Sequence, residues 1–158
     1  MRTVLVTIIL MWAAILHAGD FDQKTLEGKT IHINNYEGNF LFEDKNYEKQ
    51  PLLFFFFGTR CPFCEKEIPQ VVDMVRAGKL KVIGIQAQMP VTDHELAEFV
   101  KSRDIKFDVL KAKEGNRLVR YLMKRGMWAG GVPYYIWIDK YGNLEPIDLD
   151  TLLEKIGD

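Results

Sequence analysis

The chain has 158 residues, 47% of them apolar, and its 21 Lys and Arg nearly balance 22 Asp and Glu for a formal net charge of −1. That length and apolar content suit one domain with a single core. The near-neutral balance points to neither nucleic acid nor an acidic membrane surface as a partner.

Residues 1–18 read as a secretory signal peptide. Arg2 supplies the charged start, Val4–Leu16 is apolar apart from Thr7, and Ala18 is a small residue suited to precede a cleavage site. The run is shorter than the roughly 20 residues a spanning helix needs. Leu16 is bulky for its place before the cut, so retention as an uncleaved anchor stays the alternative. The fold is expected in residues 19–158, and export places both cysteines where disulfides persist.

Residues 19–50 pattern weakly. Lys29–Asn34 alternates as a strand and Asn39–Phe42 pairs with it in a hairpin, with Asn34-Asn35 and Glu37-Gly38 as turn chemistry between them. His32 lies in the alternating run as an ordinary strand residue. Asp44–Gln50 is a charged loop.

The stretch Leu52–Arg76, LLFFFFGTRCPFCEKEIPQVVDMVR, dominates the reading. Leu52–Phe57 is six apolar residues without polar alternation, the mark of a strand buried on both faces. Ile68, Val71, Val72 and Val75 then recur on one helical face. Pro62 suits the first turn of that helix, and Pro69 is expected to kink its interior. The strand thus delivers Cys61 and Cys64 to a helix N-terminus, where free N–H groups and the macrodipole favour a thiolate. Cys61 is the expected nucleophile and Cys64 the resolving thiol. Arg60 should favour the Cys61 thiolate, while Glu65 and Glu67 oppose it as anions, and a neutral glutamic acid can pass a proton to Cys64. A loop this short would stabilise the fold little as a structural staple, so a redox pair is the preferred reading.

Downstream, Gly78 stops the helix and Lys81–Gln86 is a second buried strand, giving a strand–helix–strand unit with a right-handed parallel crossover. Thr92 and Glu95 form a capping box for a helix through Arg103, with Leu96, Phe99 and Val100 inward and His94 solvated. Phe107–Leu110 is a short strand, and Glu114–Lys124 a helix with Leu118, Tyr121 and Leu122 inward, ended by Gly126. Tyr134–Asp139 and Leu144–Ile147 form a hairpin across Lys140–Asn143, with one alternating set of aromatics in the core. Asp148 or Asp150 caps a last helix through Ile156.

These features together resemble the thioredoxin superfamily, and within it the TlpA/ResA-type thiol–disulfide oxidoreductases of the bacterial cell envelope. The run CPFCEKEIP is similar to that family's Cys-x-x-Cys-x-x-Glu-x-Pro, and Gly131-Val132-Pro133 before an apolar strand is similar to its cis-proline loop. The resemblance spans about Leu26 to Leu153. It implies an α/β thioredoxin-like fold: a central mixed sheet flanked by helices, an N-terminal hairpin, and a central αβ insertion between Gln86 and Leu110. It implies Cys61, Cys64 and Glu67 as the reacting set, Pro133 as a cis-proline facing the cysteines, and Val132 as the backbone partner of bound substrate. It further implies a monomer in the periplasm or on the outer face of the cytoplasmic membrane. That monomer would reduce protein disulfides, including those of apocytochrome c, and draw electrons from a membrane thiol carrier of the DsbD/CcdA type. No cofactor beyond the cysteine pair is implied. Arg60 stands where the family often has Trp, and Pro62-Phe63 differs from the Gly-Pro of thioredoxin; all three are expected to tune the potential.

Three other readings compete. A thiolate-stabilised pair makes an oxidant, so a DsbA-like oxidase or isomerase reverses the direction. A metal chaperone needs more ligands than the cysteines and two distant histidines, His32 and His94, supply. A non-catalytic binding module would use an aromatic groove around Trp128, Val132, Tyr134 and Tyr135.

Overall fold

The computed structural model describes residues 19–111 and 116–157. The expected leader and the expected helix start at Glu114 lie outside the described residues. In chain order the elements are β1 (Phe21–Lys24), β2 (Thr30–Tyr36), β3 (Asn39–Phe42), β4 (Leu52–Phe57), α1 (Pro62–Arg76), β5 (Lys81–Gln86), α2 (Asp93–Ser102), β6 (Asp108–Lys111), α3 (Arg117–Lys124), β7 (Tyr134–Ile138), β8 (Leu144–Ile147) and α4 (Leu149–Gly157).

Strand β4 is the centre of a five-stranded mixed sheet of order β6-β5-β4-β7-β8. It pairs in parallel with β5 and antiparallel with β7, so both its edges are used. All six of its side chains are wholly buried. Successive strand residues point to opposite faces, so the Phe run feeds two cores at once. Leu53, Phe55 and Phe57 pack with Ile68 and Val71 of α1, Phe99 of α2 and Leu152 of α4. Leu52, Phe54 and Phe56 pack with Ile33, Phe40 and Phe42 of the N-terminal sheet and with Leu118 and Leu122 of α3. Each buried Phe contributes roughly 1.5–3 kcal/mol. The β4–α1–β5 and β5–α2–β6 crossovers lay both helices on one face, the arrangement that successive right-handed crossovers give.

The expected N-terminal hairpin is a three-stranded antiparallel sheet, because β1 pairs with β2. Strand β1 carries a single large apolar residue, Phe21, and buries Gln23 on the same face, so its periodicity is faint. Only Glu37-Gly38 turns the hairpin, at φ 51° and 95°, and Asn34-Asn35 lies inside β2. The chain after β1 also bonds Leu26 N–H to the Val109 carbonyl at 2.8 Å, covering the outer edge of β6.

Several boundaries differ from expectation. Strand β6 begins at Asp108, and Phe107 lies over the bare backbone of Gly84 instead. Helix α3 begins at Arg117, because the Asn116 side chain accepts from Val119 N–H at 3.2 Å and caps it. The Thr92–Glu95 capping box forms as expected. Of the two candidate caps for α4, Asp148 serves, taking Thr151 N–H at 2.8 Å. Helix α1 runs unbroken through Pro69. In β7 both alternating sets are buried, because Tyr135 and Trp137 enter the α1 side while Ile136 and Ile138 enter the other.

Candidate active site

The site forms where β4 ends. Gly58 follows Phe57 directly, and the chain crosses Thr59-Arg60 into Cys61, the N-cap of α1. Cys61 has extended backbone (φ −108°, ψ 108°), and its Sγ accepts the Cys64 backbone N–H at 3.1 Å. The first sulfur thus occupies the position a capping side-chain oxygen would take, facing unsatisfied helix N–H groups. The two cysteines are joined as a disulfide with Cα atoms 5.2 Å apart. Cys64 is fully buried, whereas Cys61 keeps 4% exposure, so Cys61 is the member of the pair that retains a surface toward solvent.

Opposite the disulfide stands the loop before β7. The Val132–Pro133 peptide bond is cis, and the Val132 carbonyl oxygen lies 3.8 Å from Cys61 Sγ. Trp128 fixes this loop. Its ring stacks on Phe56 with centroids 4.6 Å apart, and its indole N–H donates to the Gly131 carbonyl at 2.8 Å. Trp128 and Tyr135 are therefore core residues. Of the aromatic groove expected for a binding module, Tyr134 and Val132 keep partial exposure.

The charged neighbours separate into distinct roles. Arg60 is largely exposed, and its guanidinium approaches Glu95 at 4.0 Å. Glu65 is held by Arg103 through bonds of 2.5 and 3.1 Å, and Arg103 lies over the Phe99 ring. Glu67 is half-buried and accepts the Tyr135 hydroxyl at 2.5 Å. Pro62 and Phe63 are exposed, Phe63 to 67%, so the inter-cysteine pair presents an aromatic surface beside the disulfide. His32 pairs with Asp22 on the N-terminal sheet and His94 lies exposed on α2, so the structure brings neither to the cysteines.

Two contributors escaped sequence reasoning. Tyr135 reads from sequence as a member of an alternating strand and of an aromatic groove, with no sign of its bond to Glu67. Gln88 carried no signal, yet its Oε1 accepts the Arg60 N–H at 3.2 Å and steadies the approach to Cys61. The turn that presents it is closed by Gln86, which donates from Nε2 to the Met89 carbonyl at 3.1 Å. Gln88 can lie there because residue 58 has no side chain: a Cβ on Gly58 would stand 2.0 Å from Gln88 Oε1 and 2.7 Å from its Cβ. Gly58→Ala is expected to displace Gln88 and cost about 1–3 kcal/mol, read as a lower denaturation midpoint. An unchanged midpoint would mean the turn moves aside freely.

The profile described as the AhpC/TSA family matches residues 16–147. Thiol-disulfide oxidoreductase ResA of Bacillus thuringiensis subsp. konkukian is 32% identical over 105 residues, covering 66% of this chain and 54% of that protein. A Bacillus cereus protein of the same name is 30% identical over 128 residues, covering 80% and 64%. The chain thus spans about half the length of the first of these relatives. Among solved structures, a secreted Mycobacterium tuberculosis disulfide oxidoreductase homologous to E. coli DsbE superposes with a TM-score of 0.64 at 19% identity, over 87% of this chain and 94% of that one. StoA from Bacillus subtilis gives 0.60 at 19% identity, over 89% and 97%. These likenesses establish the thioredoxin-like fold.

Proposed function

The chain belongs to the AhpC/TSA family, and we propose that within it the protein is an exported thiol–disulfide oxidoreductase that reduces disulfides of envelope proteins by exchange at Cys61 and Cys64. One observation carries the reading: Cys61 Sγ caps α1 while facing the Val132 carbonyl of the cis Val132–Pro133 peptide. A thiolate there meets aligned N–H groups, and an extended substrate segment can bond the Val132 backbone beside it. The Cys61 thiolate attacks a substrate disulfide, forming a mixed disulfide and expelling a substrate thiolate. Cys64, deprotonated with help from Glu67, then attacks Cys61 Sγ, closing the internal disulfide and releasing the second substrate thiolate. Two electrons pass from the cysteine pair to the substrate.

The relatives named thiol-disulfide oxidoreductase support exchange chemistry, and the reductive direction is the one that the TlpA/ResA resemblance implies. The proposed substrates include the cysteine pair of apocytochrome c, and the proposed electron source is a membrane thiol carrier of the DsbD/CcdA type. The proposed location is the periplasm or the outer face of the cytoplasmic membrane, where the protein acts as a monomer. Arg60, Pro62 and Phe63 tune the potential through charge and surface. A DsbA-like oxidase is the second reading, favoured by the Cys64 N–H on Cys61 Sγ, because whatever stabilises the reduced thiolate makes the disulfide more oxidising.

The reduction potential of the Cys61/Cys64 couple decides between them. A value near or below about −270 mV is expected for a reductant fed from the membrane. A value near about −120 mV would make the protein an oxidant. A couple that does not cycle at all would leave a structural bridge or a metal site.

A further inference from the structure

We propose that Tyr135 is a positioning residue for the exchange reaction, its hydroxyl holding the Glu67 carboxylate on the side of α1 that carries Cys64. The inference deepens the oxidoreductase reading and rests on it. Tyr135 follows the cis-proline by two residues on β7, and only 4% of it is exposed. Its ring stacks on Phe55 with centroids 5.0 Å apart and planes 7° apart, so the hydroxyl has a fixed origin. From there it donates to Glu67 Oε2 at 2.5 Å. Burial, and then the bond to Glu67, push the hydroxyl far above its ordinary pKa, so it remains a donor. Glu67 lies three residues beyond Cys64, a spacing that makes them neighbours on one helix face.

A solvent cleft of about 450 Å³ opens on this pair, lined by Glu67, Pro133, Tyr135, Glu145, Ile147 and Asp148 among others. The other charged groups around it are already engaged. Glu145 pairs with Lys155 at 2.7 Å, and Asp148 caps α4 through Thr151. On α1 itself, Glu65 is held by Arg103, and Lys66 lies over the Phe63 ring. Tyr134 lines the cleft as a second phenol. Glu67 is therefore the cleft carboxylate bound to neither a cation nor a helix end, and the hydroxyl of Tyr135 is what orients it.

In the second step, the Cys64 thiol gives its proton to the Glu67 carboxylate. The Cys64 thiolate attacks Cys61 Sγ, the bond from Cys61 to the substrate sulfur breaks, and the departing thiolate recovers a proton through the cleft. An oriented carboxylate speeds the transfer, because proton transfer depends on geometry before it depends on acidity.

The test uses the reduced protein with glutathione disulfide as the probe, timing the two glutathione releases separately in the parent, Tyr135→Phe, Glu67→Gln and the double variant. Phe keeps the ring on Phe55, and the thermal midpoint of each variant reports folding. Tyr135→Phe is expected to slow the second release about tenfold and to leave the first unchanged, a split between the two steps that a general loosening of the fold would not produce. The double variant is expected to be no slower than Glu67→Gln. Three results would each overturn the proposal: a Tyr135→Phe rate equal to the parent's, equal slowing of both releases, or the same tenfold loss on top of Glu67→Gln. Failure of the parent to release glutathione would instead remove the oxidoreductase reading beneath it.

Discussion

Cys64→Ser is expected to accumulate a mixed disulfide between Cys61 and its substrate, while Cys61→Ser forms no covalent adduct and loses turnover entirely. The asymmetry follows from the geometry at the start of α1. Cys61 stands outside the helix with its sulfur on the Cys64 N–H and retains some exposure, whereas Cys64 has none. An external disulfide can therefore reach the first sulfur and not the second. Once the first bond has formed, the second thiol is needed to break it, and a serine hydroxyl does not displace a thiolate. Loss of the native cross-link does not confuse the comparison. A bridge across a separation of three residues is worth only about 2 kcal/mol in the chain-entropy picture, and the reduced parent lacks it too. Trapping is read by non-reducing electrophoresis and mass spectrometry of the adduct. Adducts on Cys61→Ser with none on Cys64→Ser would reverse the order of attack. Full function in Cys61→Ser would replace exchange with docking.

The contrast between what the sequence disclosed and what it hid has a physical origin. The apolar run Leu52–Phe57 was legible because a strand buried on both faces needs no polar residue, and its six wholly buried side chains are what that pattern implies. The cysteine pair was legible because strand, Gly58, Pro62 and helical periodicity together describe one turn. Strand β1 was not, since its inward residues are Phe21 and Gln23, and a buried glutamine looks like surface until its partner is known. That partner is Asn116, whose amide donates to Gln23 Oε1 at 2.8 Å from 93 residues away. The bonds that orient the site share this character. Tyr135 to Glu67 spans 68 residues and Gln88 to Arg60 spans 28. Local patterning reports which face a side chain takes, while the partner waiting there is set by sheet order. The order β5-β4-β7 brings Tyr135 beside Phe55 and so above α1.

The sheet order also exposes a point of high mechanical sensitivity far from the cysteines, and Gly142→Ala is expected to cost about 4 kcal/mol there. Gly142 sits in the β7–β8 turn with φ +86°, in the left-handed region that side chains disfavour. Its carbonyl accepts the Phe40 N–H at 2.8 Å, joining the turn to the N-terminal sheet. A Cβ at this position would stand 2.5 Å from the Phe40 carbonyl oxygen and 2.9 Å from its nitrogen, so backbone rather than a flexible side chain would have to yield. Phe40 is 1% exposed and packs against Phe54 of the central strand, so a shift of its backbone disturbs the core beneath β4. Gly28 supplies the control. It has the same φ of +86° with nothing within 4 Å of an added Cβ, so Gly28→Ala measures the backbone penalty alone, about 1–2 kcal/mol. The difference between the two variants in urea denaturation isolates the clash with Phe40. Equal losses would mean that the N-terminal sheet gives way without resistance. A larger loss at Gly142 would mean that the close approach of these two backbones resists displacement and passes the strain to the layer under β4.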